Sequence, residues 1–245
     1  MGYRWVIDLG NTRVKLGRFR GGDLLEAHTR SRTELDVTFA WLMTESAEAY
    51  VWLNTGEEPG DWRARLSRRA PLWQYTPGAP CPLTVRYATP ETLGVDRLAA
   101  AVGAHAIFPA TELLVIDAGT CITYEYVSVG GAYLGGNIAP GLRMRLRAMH
   151  AFTGKLPLVE QVLPQGDIGD STASALQNGA LRGAAKEVSG WVSAFRQNHP
   201  RGRVVVCGGD DALLRPLLPT GLTYRPNLVL EGLAQLHAYA HDSAE

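Results

Sequence analysis

Cysteine is scarce in this chain of 245 residues. Cys81, Cys121 and Cys207 lie far apart, their number is odd, and no CxxC pair occurs. That disfavours a disulfide framework and leads us to expect reduced thiols. An excess of charge of either sign is missing too: 24 Lys and Arg balance 24 Asp and Glu. Net charge therefore gives no pull toward nucleic acid or an anionic membrane. The six histidines (28, 105, 150, 199, 237 and 241) show no metal-ligand spacing. Aromatic residues are not interleaved with basic ones, so a single-stranded nucleic acid partner is not expected. No apolar run approaches the ~20 residues that span a bilayer. A basic-then-apolar leader with a cleavage site is not found after Met1-Gly2-Tyr3-Arg4. The myristoylation pattern also fails, because Val6 stands where Ser or Thr is required. A cytoplasmic location without membrane or nucleic acid partners is expected.

What is present is ordinary for a globular enzyme: 46% hydrophobic and 20% charged residues. The length suits one large domain or two small lobes. Residues 3–9 form an apolar, β-rich run that breaks at Asp8-Leu9-Gly10-Asn11-Thr12. Residues 13–20 alternate as a second strand, Gly21-Gly22-Asp23 gives a hairpin turn, and residues 24–29 give a third strand. The pattern then recurs. Residues 113–116 form a buried strand, Asp117-Ala118-Gly119-Thr120 a break, residues 121–127 an alternating strand, Gly130-Gly131 a turn, and residues 132–138 a third strand. Strand, Asp-x-Gly turn, strand, Gly-Gly turn, strand thus appears twice, which suggests two lobes of one fold. Helices are expected at 33–48, 62–69, 94–107, 171–195, from 211, and 226–240. Residues 71–82, with four prolines, read as a connector.

The two turns carry chemistry. Bound phosphate needs inward-pointing backbone N–H groups, and glycine lets the backbone come close. In the stretch Asp8, Leu9, Gly10, Asn11, Thr12, Arg13, Val14, Lys15, the Asn and Thr side chains add donors and Lys15 adds positive charge. Asp8 would repel phosphate directly, so its carboxylate needs an intervening Mg²⁺ or that ion's waters. Gly119 and Thr120 could meet the far phosphates while Asp117 holds a cation. Taken singly, either turn could be a plain hairpin.

The pairing resembles the actin-like ATPase and sugar-kinase superfamily. Gly94-Val95-Asp96-Arg97 at a helix start is similar to the Gly-x-Asp-Arg motif of the type III pantothenate kinases. The stretches 8–15, 117–120, Gly135 to Gly141, Ser171-Thr172, Gly208-Gly209-Asp210 and Pro226 to Leu233 follow that family's order. Val95 and Cys121 stand where alanine is commoner.

The resemblance implies an α/β fold of two duplicated actin-like (ribonuclease H-like) lobes with mixed sheets, residues 1–110 and 111–245, and ATP in the interlobe cleft. It implies phosphorylation of pantothenate to 4′-phosphopantothenate, the first step of coenzyme A biosynthesis. Asp96 would be the general base. Arg97 would pair with the pantothenate carboxylate, and Tyr87, Gly94, Val95 and Thr172 would line the same pocket. Asp117 would hold a monovalent cation, K⁺ or NH₄⁺, beside the phosphates, and a homodimer is expected. Two plainer readings belong to single residues: Asp96 as a helix cap and Thr172 as an N-cap. A kinase for a sugar or other polyol, or a non-enzymatic accessory regulator of the same fold, are the alternatives.

Overall fold

The period-two runs at the start of the chain become strands, and the glycine turns become hairpins. The computed structural model describes residues 2–242. They divide into two units: 2–109 with 131–134 and 227–242, and 110–130 with 135–226.

The first unit begins with β1 (Arg4–Leu9), β2 (Arg13–Arg20) and β3 (Asp23–Ser31). It continues through α1 (Leu35–Leu42), β4 (Ala49–Asn54), α2 (Trp62–Ser67), β5 (Leu72–Trp73), β6 (Thr84–Val85) and α3 (Val95–Ile107). Five strands form a sheet in the order β3-β2-β1-β4-β5. β1 runs antiparallel to β2 and parallel to β4, with Asp8 opposite Lys15 on one side and Leu53 on the other. Alternate residues Trp5, Ile7, Leu9, Val14 and Leu16 bury one face against Phe39 and Leu42 of α1 and Trp62 and Leu66 of α2. The Phe39 ring stacks on Trp62 at 4.9 Å between centroids. Such offset rings add to the area they bury.

The second unit holds β7 (Leu113–Ala118), β8 (Cys121–Val127), β9 (Ala132–Pro140), α4 (Leu142–Ala151), α5 (Thr172–Asn198), β10 (Arg203–Cys207), α6 (Asp211–Leu214) and β11 (Thr223–Tyr224). These strands lie in a six-stranded sheet ordered β11-β10-β7-β8-β9-β6. Apart from β6, that is the order of the first sheet read from its other edge, with β7 in the place of β1. β7 is again antiparallel to its hairpin partner and parallel to the strand on its other side. Leu114, Ile116, Ile122 and Tyr124 pack on Leu181, Ala184 and Val188 of α5. The first residues of β9, Ala132 and Tyr133, belong to the first unit, where they pair in parallel with β6.

The last described helix, α7 (Leu228–Asp242), returns to the first unit. It meets α3 at two glycines. A Cβ on Gly103 would sit 2.7 Å from the Leu228 carbonyl oxygen, and one on Gly232 would overlap the Ala99 carbonyl. Only glycine permits two helix backbones to approach so closely. This contact fixes the helix whose first turn carries Asp96.

Two expectations change. The helix expected over 33–48 is shorter: a 3₁₀ turn at Arg32–Glu34 precedes α1, and Ser31 and Glu34 form a capping box there. Helix α4 was not expected. Its arginines 143, 145 and 147 mask the burial of Leu142 and Leu146 on one face. No helix among the described residues is long and apolar enough to cross a membrane.

Candidate active site

The first Asp turn closes on itself. The Gly10 N–H donates to the Arg13 carbonyl at 3.0 Å, joining the end of β1 to the start of β2. Leu9 and Val14 are buried anchors on either side, while Asn11, Thr12 and Arg13 are exposed. The strand register puts Lys15 directly across from Asp8, so the two side chains share one face of the hairpin.

A second loop supports this turn. Thr55 N–H donates to the Leu9 carbonyl at 2.9 Å, and Asn11 Nδ2 donates to the Thr55 carbonyl at 3.5 Å. Asn54 Oδ1 accepts from Gly56 N–H at 3.1 Å, which rounds the loop. Arg32 binds both pieces. Its Nη1 donates to the Gly10 carbonyl at 2.6 Å, its Nη2 donates to the Glu57 carbonyl, and its backbone N–H donates to the Thr12 carbonyl at 3.0 Å. Neither Arg32 nor residues 54–57 were expected at the site. Their contribution depends on partners 20 or more positions away, and no local motif carries it.

In the same unit, α3 begins at Gly94, whose extended backbone caps the helix without a side-chain bond. Asp96 Oδ1 accepts from the Arg97 N–H at 2.9 Å, so the carboxylate sits in the positive field of the helix N-terminus. A Cβ on Gly94 would lie 2.5 Å from that Oδ1. Glycine there leaves the carboxylate its position. Arg97 is buried, 7% exposed, with its guanidinium 5.8 Å from the centre of the Tyr87 ring. Tyr87 in turn lies edge-on to Tyr133. Gly94, Val95, Asp96, Arg97 and Tyr87 therefore form one cluster. Beside it, a cavity of about 320 Å³ is lined by Tyr75, Cys81, Leu83, Val85, Leu93 and Leu98, among others. Leu93 and Leu98 flank the start of α3, and the proline-rich connector supplies the opposite wall. Burial pushes the Cys81 thiol up and holds it protonated.

The second Asp turn lies in the other unit and is built differently. Asp117 ends the buried run of β7, opposite Thr123 in β8 and Cys207 in β10. Gly119 N–H donates to the Cys121 carbonyl at 2.9 Å. The Thr120 carbonyl accepts from Gly141 N–H at 3.2 Å, and the Ala118 carbonyl accepts from Asp210 N–H at 2.9 Å. Gly141 and Gly208 press on this turn. A Cβ on Gly141 would overlap the Gly119 and Thr120 carbonyls, and one on Gly208 would overlap Ala118. Gly208 also has φ +100°, which favours glycine. Arg145 secures the neighbouring segment: its Nε donates to the Pro140 carbonyl at 2.9 Å, and its Nη2 pairs with Glu187 at 2.6 Å. Glu187 accepts from the buried Tyr124 hydroxyl at 2.9 Å.

Thr172 is the first residue of α5 and is exposed, but it is not the cap. Ser171 is the N-cap, in a reciprocal pair with Ser174. The plain reading of Thr172 as an N-cap is thus corrected, and its hydroxyl has no capping duty. The cap reading of Asp96 changes too. It lies inside the first turn and accepts from the next N–H, while Gly94 caps the helix.

Comparison with known proteins adds the family context. A family model described as type III pantothenate kinase matches residues 5–194. A type III pantothenate kinase from Porphyromonas gingivalis is 46% identical over 244 residues, covering 98% of this chain and 99% of that protein. One from Flavobacterium johnsoniae is 34% identical over 240 residues, covering 97% and 98%. Among solved structures, a conserved Baf family protein from Campylobacter jejuni, described as a transcriptional activator, superposes with a TM-score of 0.62 at 18% identity. It covers 97% of this chain and 99% of that one. Component A of (R)-2-hydroxyglutaryl-CoA dehydratase from Acidaminococcus fermentans gives 0.55 at 16% identity and full coverage of both chains. These two likenesses concern the fold.

Proposed function

This chain belongs to the type III pantothenate kinase family, and from that membership we propose that it transfers the γ-phosphoryl group of ATP to pantothenate, giving 4′-phosphopantothenate at the entry to coenzyme A biosynthesis. The observation that carries the reading is the match to named kinases of this family along nearly the whole chain. The residues fit the chemistry. The pantothenate hydroxyl oxygen bonds to the γ-phosphorus, the bond from the γ-phosphorus to the β–γ bridging oxygen breaks, and ADP leaves. The hydroxyl proton passes to the Asp96 carboxylate, whose Oδ1 also accepts from the Arg97 N–H. A positioned base of this kind contributes about 10²–10⁴-fold. The remaining acceleration comes from alignment and neutralised charge.

Arg97 and Tyr87 suit the pantothenate carboxylate: a buried guanidinium takes a planar carboxylate in two bonds. In the second unit, Thr172 offers an exposed hydroxyl with no capping duty. In the first unit Gly10, Asn11, Thr12 and Lys15 suit phosphate oxygens, and in the second Gly119 and Thr120 offer donors of the same kind. Asp8 would hold Mg²⁺ through water, since one carboxylate suffices for an ion that keeps several waters, and the ion would supply charge neutralisation at the phosphates. Asp117 would hold K⁺ or NH₄⁺. Among the described residues no three His, Cys, Asp or Glu gather as a metal site.

A homodimer is supported by apolar side chains exposed in the second unit, among them Phe152 at 88% and Ile168 at 89%. A cytoplasmic site of action fits cysteines that form no disulfide among the described residues. The test is purified protein with ATP, Mg²⁺ and pantothenate, with and without K⁺, assayed for phosphopantothenate. Product formation that Asp96→Asn lowers at least 100-fold, with ATP affinity kept, is expected. Folded protein that binds ATP and makes no product sinks the assignment.

A further inference from the structure

We propose that Arg32 is a positioning residue for the ATP phosphates, acting through the peptide that joins Gly10 to Asn11. The inference rests on the reading of residues 8–15 as a phosphate turn. It concerns a side chain that no motif in the turn includes.

A trans peptide is planar, with its C=O and N–H on opposite sides. Fixing one end therefore aims the other. Arg32 Nη1 holds the Gly10 carbonyl at 2.6 Å. The Asn11 N–H must then point away from the guanidinium, across the turn. The same residue holds the Thr12 carbonyl through its backbone N–H at 3.0 Å, which fixes the peptide that follows Thr12. Two peptides of the turn thus take their direction from one residue. Without the guanidinium, the Gly10–Asn11 peptide could rotate and present its carbonyl oxygen, a negative end, where an anion must bind.

The guanidinium is itself held. Nη2 donates to the Glu57 carbonyl, and Gly56 lies against the group so closely that a Cβ there would be 2.7 Å from Nη1. The planar fork reaches two carbonyls at once, on two separate loops. A lysine ammonium, a single point on a flexible stem, cannot reproduce that geometry. The clamp also brings a permanent positive charge to the phosphate turn from a residue behind it.

The experiment measures ATP affinity by calorimetry, with no acceptor, for wild type, Arg32→Ala, Arg32→Lys and Gly56→Ala, and then steady-state constants for both substrates. Charge-assisted hydrogen bonds of this kind support an expected loss of about tenfold in ATP affinity for Arg32→Ala. The KM for pantothenate is expected to stay within twofold. Arg32→Lys should recover only part of the loss. Gly56→Ala, which keeps the arginine and displaces its guanidinium, should weaken ATP in the same direction by a smaller factor. Added guanidinium at low millimolar concentration should restore ATP binding to Arg32→Ala and leave wild type unchanged. ATP affinity within twofold of wild type in a folded Arg32→Ala protein overturns the proposal, as does equal weakening of both substrates. If Arg32→Ala fails to fold, Gly56→Ala decides: unchanged ATP affinity overturns the proposal. A wild-type protein that binds ATP but does not phosphorylate pantothenate removes the substrate assignment and leaves the Arg32 test intact.

Discussion

Around Asp8, a lysine lies across the hairpin and an arginine grips the Gly10 carbonyl. Around Asp117, a threonine lies across the hairpin, Gly141 and Gly208 press on the turn, and its carbonyls accept from the Gly141 and Asp210 N–H groups. Both turns end the first strand of a sheet, and five strands follow the same order in the two sheets. The surroundings of the turns differ. Positive side chains belong where polyanionic phosphate must be neutralised. The cation duty proposed for Asp117 goes with a hydroxyl, Thr123, across its hairpin, and the phosphate duty proposed for residues 8–15 goes with a lysine. The difference therefore lends physical support to unequal duties for the two loops.

The comparison can be broken most directly with glycine substitutions. Gly208→Ala adds a Cβ against the Ala118 backbone at a positive φ, and we expect it to cost about 3 kcal/mol. Gly10→Ala meets only the Arg13 carbonyl, at 3.2 Å, and should cost well under half of that. Thermal unfolding of both proteins checks this; equal losses would mean that the two turns are braced alike. A second contrast sharpens the division of duties. Lys15→Met should raise the KM for ATP about tenfold and leave the response to K⁺ alone. Thr123→Val should shift the K⁺ response by a few-fold and leave the KM for ATP alone. Crossed results would exchange the duties of the loops.

The smallest effect separates the units by pH. In the first unit, burial, then the Arg4 and His241 charges, lowers the His237 pKa from 6.5 to about 4. Arg4 Nη1 lies 2.8 Å from its Nδ1, which accepts only when the ring is neutral. The folded state thus binds this proton less readily than the unfolded chain. Stability from this source is complete above about pH 6.5 and is lost as pH falls toward about 4. The full linkage, about 3 kcal/mol for that shift, is cut by solvent screening to on the order of 1–2 kcal/mol. Unfolding midpoints of wild type and His237→Gln across that window test it, the variant having the flatter profile.

Much of this was readable in the chain. Alternation in residues 13–20 and 121–127 marks the hairpins, and the repeat of Asp-x-Gly turns marks the duplicated sheet order. Asp96 at a helix start was legible because Gly94 and the apolar residues after it define that start. The supports were not. Arg32 matters because of carbonyls on two other loops, and Gly141 and Gly208 because of a backbone far away in sequence; such contacts leave no periodic trace. Helix α4 was hidden by arginines, one of which, Arg145, turns inward to Glu187. The cap of α5 was misread by one position, since Ser171 and Thr172 are equally plausible from composition alone.

The close passage of α3 and α7 at Gly103 and Gly232 has a consequence in time. During synthesis, residues 110–226 supply the second unit, apart from 131–134, before α7 exists. The helix that presents Asp96 lacks its glycine-matched neighbour until residues 227–242 have emerged. Domains tend to fold in the order in which they are made. Here the unit that starts first finishes last, and the Asp96 carboxylate, the proposed base, is among the final parts to be fixed.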